Sequence, residues 1–218
     1  MLGRSQLRAY FRKTYLGKIV LLLRSVFPEI WSNTSLVIYV QDLRDAIRSG
    51  ADGSIEFEVR RSNQCDIEQI QQNRLDGREI LRRTENGHLC FVAQNSQGEI
   101  IGYIWIAFDE IYIGEILKTM ALTSGEAFLY DVFVFPKYRK RGVYKQLLRT
   151  TCGWLRQRGF MNAYCGALAS NVASRSGLER VGFKEEGTVT LVRVLGRKRY
   201  DERWKSAKVH WKQEMSRT

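Results

Sequence analysis

The stretch from Phe128 to Tyr144 admits few folds, and the rest of the chain is read around it. Phe128 to Phe135 is a β-branched and aromatic run of strand length. Pro136 ends it, because proline has no N–H to give to a sheet ladder. A short basic loop, Lys137 to Arg141, follows. From there Val143, Leu147, Leu148, Cys152 and Leu155 recur close to a helical period, and Gly159 is a helix stop. The chain therefore runs strand, cationic loop, helix. Loop amides and the first free N–H groups of the helix point at one place, which suits a phosphate or diphosphate.

The flanking sequence supplies more strands. Ser35 to Val40 reads as a short one. Gly50, Asp52 and Gly53 mark a turn and a boundary. Ile55, Phe57 and Val59 alternate with Glu56, Glu58 and Arg60, a half-buried strand. Helical stretches follow at about Asp66–Gln72 and Asp76–Thr84. Leu89–Ala93 and Glu99–Phe108 read as strands joined by a turn at Ser96–Gly98. Residues 109–125 read as a loop or short helix. Glu126–Phe135 is the central strand and Asn162–Ala169 its neighbour. Asn171 caps a helix. Phe183–Leu195 completes the sheet, with a turn near Glu186 and Gly187. In the tail, Trp204, Ala207, Trp211 and Met215 recur at helical spacing. They predict a terminal helix that lays its tryptophans on the domain or on a second subunit, in a homodimer. A membrane or nucleic-acid contact is the other reading of that tail.

Three segments result: a basic N-terminal accessory segment over 1–50, a core domain over 51–196, and a basic tail over 197–218. A chain of 218 residues is long enough for one sizeable core. Four cysteines without CxxC or ligand spacing read as reduced, mostly buried thiols, which points to the cytoplasm. With two scattered histidines, no metal site is expected. The net charge is +5 over residues 1–48, −7 over 49–136 and +14 over 137–218. The basic part begins at the phosphate-binding loop, where a polyanionic cosubstrate would be attracted. Residues 1–25 carry six basic side chains and no acid, with an apolar run of five residues, Ile19 to Leu23. That run is too short to span a bilayer. The segment reads as an accessory helix on the main domain, or as a helix lying weakly on anionic membrane.

The loop and helix resemble the acyl-CoA-binding segment of GCN5-related N-acetyltransferases, whose pattern is Arg or Gln, two residues, Gly, one residue, then Gly or Ala. Here the series is Arg139, Lys140, Arg141, Gly142, Val143 and Tyr144, so Tyr144 replaces the last small residue. A second block fits as well: Asn171 opens a helix, Ser174 follows, and Gly182-Phe183 closes it. The resemblance implies an α/β fold with a mixed, mostly antiparallel sheet flanked by helices. It implies acetyl-CoA as cosubstrate, held by Val132, Phe133 and Val134 on the splayed strand and by Arg139, Lys140, Arg141, Gly142, Val143, Tyr144, Asn171 and Ser174. It also puts the acceptor pocket over the two helices that follow the strand ending at Arg60.

Acetyl transfer to an amine needs a base or relay for the amine proton, a donor for the thioester oxygen, and an acid for the leaving thiolate. The family-implied oxyanion donor is the amide of Val134. Glu126 and Asp131 are the candidate bases. Their spacing of five puts them on opposite faces of a regular strand, so one at most faces the groove unless a bulge intervenes. Many relatives carry a tyrosine seven residues after the asparagine, where this chain has Leu178. Tyr144 or Tyr164 is then the candidate acid, or solvent serves. The expected activity is transfer of an acetyl group from acetyl-CoA to a primary amine by direct attack. The acceptor is a small molecule or peptide, and the acidic middle of the chain favours a cationic one. No specific nucleic acid is expected as partner. Leu178 and Tyr144 leave a catalytically silent acyl-CoA-binding module as the alternative, and the overall charge a peripheral membrane or nucleic-acid-associated protein.

Overall fold

The computed structural model describes residues 31–45, 57–73, 77–206 and 209–212. Its strands are β1 (Trp31–Asp42), β2 (Phe57–Arg61), β3 (Leu89–Asn95), β4 (Ile100–Ala107), β5 (Glu110–Ile113), β6 (Lys118–Ala121), β7 (Glu126–Val134), β8 (Asn162–Leu168), β9 (Lys184–Val194), β10 (Arg197–Trp204) and β11 (His210–Trp211). Its helices are α1 (Gln64–Asn73), α2 (Gly77–Glu85), α3 (Val143–Gln157) and α4 (Val172–Val181). The main sheet runs β10-β9-β1-β8-β7-β4-β3-β2, and β11-β6-β5 form a small second sheet. Among the described strands β7 and β8 are parallel and the other pairs antiparallel.

β4 shows why the sheet lies in the middle. All eight of its residues are buried, as expected of a strand covered on both faces. Ile101, Ile104 and Ile106 face α3, which presents Val143, Leu147, Leu148, Cys152 and Leu155. Tyr103 and Trp105 face the other way, onto Ile70 of α1 and Ile80 of α2. The small sheet covers the rest of that second face through Ile111, Ile113 and Met120. The expected mixed, mostly antiparallel sheet flanked by helices is what the chain forms.

Two irregularities of β7 create the site. β7 pairs with β8 from Glu126 to Leu129 and then leaves it, while β8 continues alongside β1 as far as Leu168. On its other side β7 stays with β4, but Tyr130 lies opposite Trp105 and Phe133 opposite Tyr103. Asp131 and Val132 therefore share one partner position, a β-bulge, and Asp131 takes φ 46°.

Four expectations are corrected. The strand at 35–40 is the twelve-residue β1, lodged between β8 and β9, so the sheet core extends into the supposed accessory segment. Residues 109–125 form the β5–β6 hairpin instead of a loop or helix, because Ile111 and Ile113 alternate inward against exposed Glu110 and Tyr112. The tail is extended: β10 pairs with β9 and β11 with β6. Leu195 and Gly196, at φ 49° and 75°, form a two-residue turn of the left-handed kind that suits a tight hairpin. Tyr200, Glu202 and Trp204 then alternate inward with period two, and Trp204 meets Trp211 at 6.0 Å between strands. Around Glu186 there is a bulge within β9 and no turn. The helix expected within 1–25, the turn at Gly50–Gly53, the beginning of the strand at 54–56, and Ala207 and Met215 lie outside the described residues.

Candidate active site

The divergence of β7 from β8 leaves one edge of β7 without a strand partner. Phe135 N–H donates to the Ile101 carbonyl at 3.0 Å. Alternation along an antiparallel ladder then turns Val132 and Val134 toward the edge that β8 has vacated. The Val134 carbonyl on that edge accepts a hydrogen bond from Arg139 Nε at 3.2 Å.

A groove of about 600 Å³ runs from this edge to the N-terminus of α3. Val132, Phe133, Val134, Arg139, Lys140, Gly142, Val143, Tyr144, Asn171 and Ser174 line it, together with Lys145, Gly177 and Arg180. Sequence had picked out all of these except the last three. Arg141 is not a lining residue; its guanidinium sits 5.7 Å above the ring of Tyr138. Four cations, Arg139, Lys140, Lys145 and Arg180, give the groove a strong positive potential. Gly142, at φ 80°, is the N-cap of α3 and carries no side chain to bind the first amides of the helix. The Gln146 amide closes the first turn of α3 by donating to the Gly142 carbonyl at 3.0 Å. The amides ahead of it form the kind of N-terminal cluster that accepts an anion.

Tyr144 turns aside. Its hydroxyl is 3.1 Å from Ser174 Oγ, and its ring lies against α4, where a Cβ added to Gly177 would stand 2.8 Å from it. Burial pushes its phenol above the usual range, so the hydroxyl stays protonated. Asn171 caps α4 by accepting the Ser174 amide at 3.1 Å. Leu178 is fully buried beneath.

A second cavity, about 410 Å³, opens beside the groove. Tyr130 and Asp131 of β7 line it, directly before the groove-lining Val132, so the two cavities draw on consecutive residues of β7 at the bulge. Its other walls are α2 (Glu79, Arg82, Arg83), the β5–β6 hairpin (Tyr112, Glu115) and Gly166 on the departing part of β8. Arg83 organises this wall. It is 7% exposed, binds Asp131 at 2.8 Å and Glu79 at 2.9 Å, and lies 5.0 Å over the rings of both Trp105 and Tyr130.

The four acid–base candidates separate. Asp131 and Tyr144 line the two cavities. Glu126 and Tyr164 line neither: Tyr164 is fully buried and donates to Glu126 at 3.1 Å, and Glu126 accepts the Thr123 amide at 2.8 Å. Glu126 sits at the start of β7, five residues or about 17 Å of strand from the bulge. Its carboxylate is already committed to bracing the turn that starts the strand. Cys165 is buried, and burial raises its thiol to about 12, which leaves it unreactive. Sequence reasoning passed over Arg83, Tyr130 and the hairpin residues. Their shared wall comes from folding elements up to 48 residues apart, which no spacing pattern reveals.

Comparison with known proteins agrees with this fold. Residues 54–183 match the acetyltransferase (GNAT) family. An aminoglycoside N(6')-acetyltransferase type 1 of Salmonella typhimurium is 28% identical over 118 residues, which cover 54% of this chain and 76% of that protein. A GCN5-related N-acetyltransferase from Sphaerobacter thermophilus superposes with a TM-score of 0.56 at 14% identity, over 83% of this chain and 56% of that one. A Drosophila protein gives 0.54 at 17% identity, over 84% of this chain and 58% of that one. The chain thus spans little more than half the length of these two structures, and at such identities the likeness is one of fold.

Proposed function

The chain belongs to the GNAT family of acetyltransferases, and on that premise we propose that it transfers the acetyl group of acetyl-CoA to a primary amine bound in the second cavity. The observation that carries this reading is that consecutive residues of one bulged, half-unpaired strand line first one cavity and then the other. The groove side takes the cosubstrate. The α3 N-terminus and its cationic surroundings hold the diphosphate, and the free edge at Val132 and Val134 pairs with the pantetheine arm. The Val134 amide is then placed to donate to the thioester oxygen. The amine arrives from the other side, past Tyr130 and Asp131. Holding both reactants in adjoining clefts supplies much of the rate, and no covalent enzyme intermediate is needed.

For the leaving thiolate, Tyr144 is the nearest family-position substitute. Its hydroxyl is shared with Ser174, so the pair offers a neutral donor where Leu178 offers none. Solvent can also protonate a thiolate, because an ordinary thiol titrates at about 8.5. The acceptor cavity carries three carboxylates, Glu79, Glu115 and Asp131, against two arginines. A polycationic amine is the acceptor class this favours. The Salmonella relative's name, an aminoglycoside N-acetyltransferase, belongs to that class.

Calorimetry with acetyl-CoA, followed by free-thiol release over kanamycin, spermidine and a lysine peptide, tests the proposal. Acceptor-dependent thiol release is expected. Tight binding with no release from any amine would mark a silent binding module instead. The same calorimetry checks the packing of Tyr144. Gly177→Val would push the ring toward the groove, with an overpacking cost of about 1–3 kcal/mol. Acetyl-CoA affinity is expected to fall about tenfold, since 1.4 kcal/mol is one decade. Adding Tyr144→Ala to that variant should recover most of the loss.

A further inference from the structure

An ammonium acceptor must lose a proton before its nitrogen can attack, and the carboxylate nearest the bulge, Asp131, already has Oδ2 bound by Arg83. We propose that Tyr130 takes the amine proton and that His88 carries a proton away to a separate recess. The proposal rests on the acetyl-transfer reading of the second cavity.

Three observations carry it. Tyr130 lines the acceptor cavity immediately before the bulge. Its hydroxyl is 2.6 Å from His88 Nδ1, with the rings edge to face at 5.6 Å. His88 does not line the acceptor cavity. It lines a different recess of about 310 Å³ whose walls include Ser62, Asn63 and Thr84. One short hydrogen bond therefore bridges two cavities, one holding the amine and one open to water.

The charges around the pair suit a relay. Burial pushes Tyr130 above the usual phenol range, with the Arg83 charge opposing, so the hydroxyl keeps its proton at rest. Burial, then the charges of Arg82 and Arg83, push His88 below the usual imidazole range, while Glu79 and Asp109 pull the other way. The ring is neutral at pH 7 and can accept. As the ammonium proton passes to the Tyr130 oxygen, the phenolic proton passes to Nδ1. Tyr130 ends unchanged, the acceptor nitrogen has lost one proton, and the imidazolium releases its Nε2 proton to water in the recess; exchange with that water then moves the remaining ring proton from Nδ1 to Nε2 and restores the resting tautomer.

Two measurements on the full chain test this. Long-range proton–nitrogen NMR reads the His88 tautomer in the free protein. The relay requires Nδ1 to be the unprotonated nitrogen at pH 7; an Nδ1–H tautomer would make His88 the donor and overturn it. In the thiol-release assay with acetyl-CoA and kanamycin or spermidine, Tyr130→Phe and His88→Gln are each expected to lower kcat about 100-fold, with KM changed less than threefold. The double variant should be no slower than either single one. The wild-type kcat should fall as pH drops through the lowered His88 pKa, and that limb should vanish in His88→Gln. Unchanged kcat in Tyr130→Phe, or a limb that persists without His88, would show that the pair only braces β3 against β7. A wild-type protein silent toward every amine would count against acetyl transfer itself, whereas the tautomer reports on the pair regardless.

Discussion

Gly142→Val will abolish most acetyl-CoA binding while leaving the protein folded. Gly142 holds φ 80°, and a Cβ there meets no atom within 4 Å, so the side chain itself has room. The cost is conformational. A left-handed backbone costs an L residue about 1–2 kcal/mol, and a β-branched one more. The cheapest relief is to rotate the peptide planes on either side, and those planes carry the amides that face the diphosphate. Hydrogen bonds to a charged group contribute about 1.5–3 kcal/mol each. Misdirecting two of them predicts a loss of at least about 100-fold in affinity. Thermal unfolding should move by only a few degrees, because the residue lies on the surface ahead of α3. Calorimetry and a melting curve on the same variant separate the two effects.

Arg83→Leu is expected to cost the most stability of any single change in the acceptor wall. The guanidinium is nearly buried, and it compensates Asp131 and Glu79 together. Breaking a buried pair costs about 3–5 kcal/mol. Because Asp131 and Glu79 keep part of their exposure, about 3 kcal/mol is the fitting figure here. For a domain of this size that is a fall in Tm of roughly 6–12 °C. Two carboxylates then face each other without their shared cation, which should also empty the site of activity. The pH dependence has a definite sign. Hydrogen bonds from Arg82, and after burial opposes them those from Arg83, hold Glu79 below the usual carboxylate range. A depressed carboxylate stabilises the fold above its unfolded pKa, and that contribution fades as pH falls through the folded one. The deficit of the variant should therefore be full at pH 7, stay so down to the ordinary carboxylate value of 4.5, and shrink only as pH falls below it.

Much of this was legible in the sequence, for physical reasons that can be stated residue by residue. Pro136, the basic loop and Gly142 declare a strand-to-helix anion site because each has a conformational consequence of its own. Asn171 and Gly182 frame α4 in the same way, one by capping and one by its φ of 114°. The acceptor side was not legible. The β5–β6 hairpin carries no Asn-Gly or Asp-Gly turn, so its alternation of Ile111 and Ile113 had no punctuation to support it. The tail misled because Trp204 and Trp211 sit seven apart, a spacing that fits a helix, while the Leu195–Gly196 turn that decides the matter is an unusual choice for a tight hairpin. Glu126 and Asp131 are told apart by contacts that spacing does not show: Glu126 is held by Tyr164 and the Thr123 amide, while Asp131 sits at the bulge in the cavity wall.

The central claim is that the edge of β7 freed by β8 receives the arm of acetyl-CoA while the start of α3 receives its diphosphate. A crystal structure with acetyl-CoA soaked or co-crystallised measures this directly. The account predicts diphosphate oxygens about 3 Å from the amides between Lys140 and Tyr144, the arm laddered along Val132 to Val134, and the thioester at the bulge facing Tyr130. A cosubstrate seated elsewhere, or a groove in which the Tyr144 ring has swung across to bar the thioester, would contradict it.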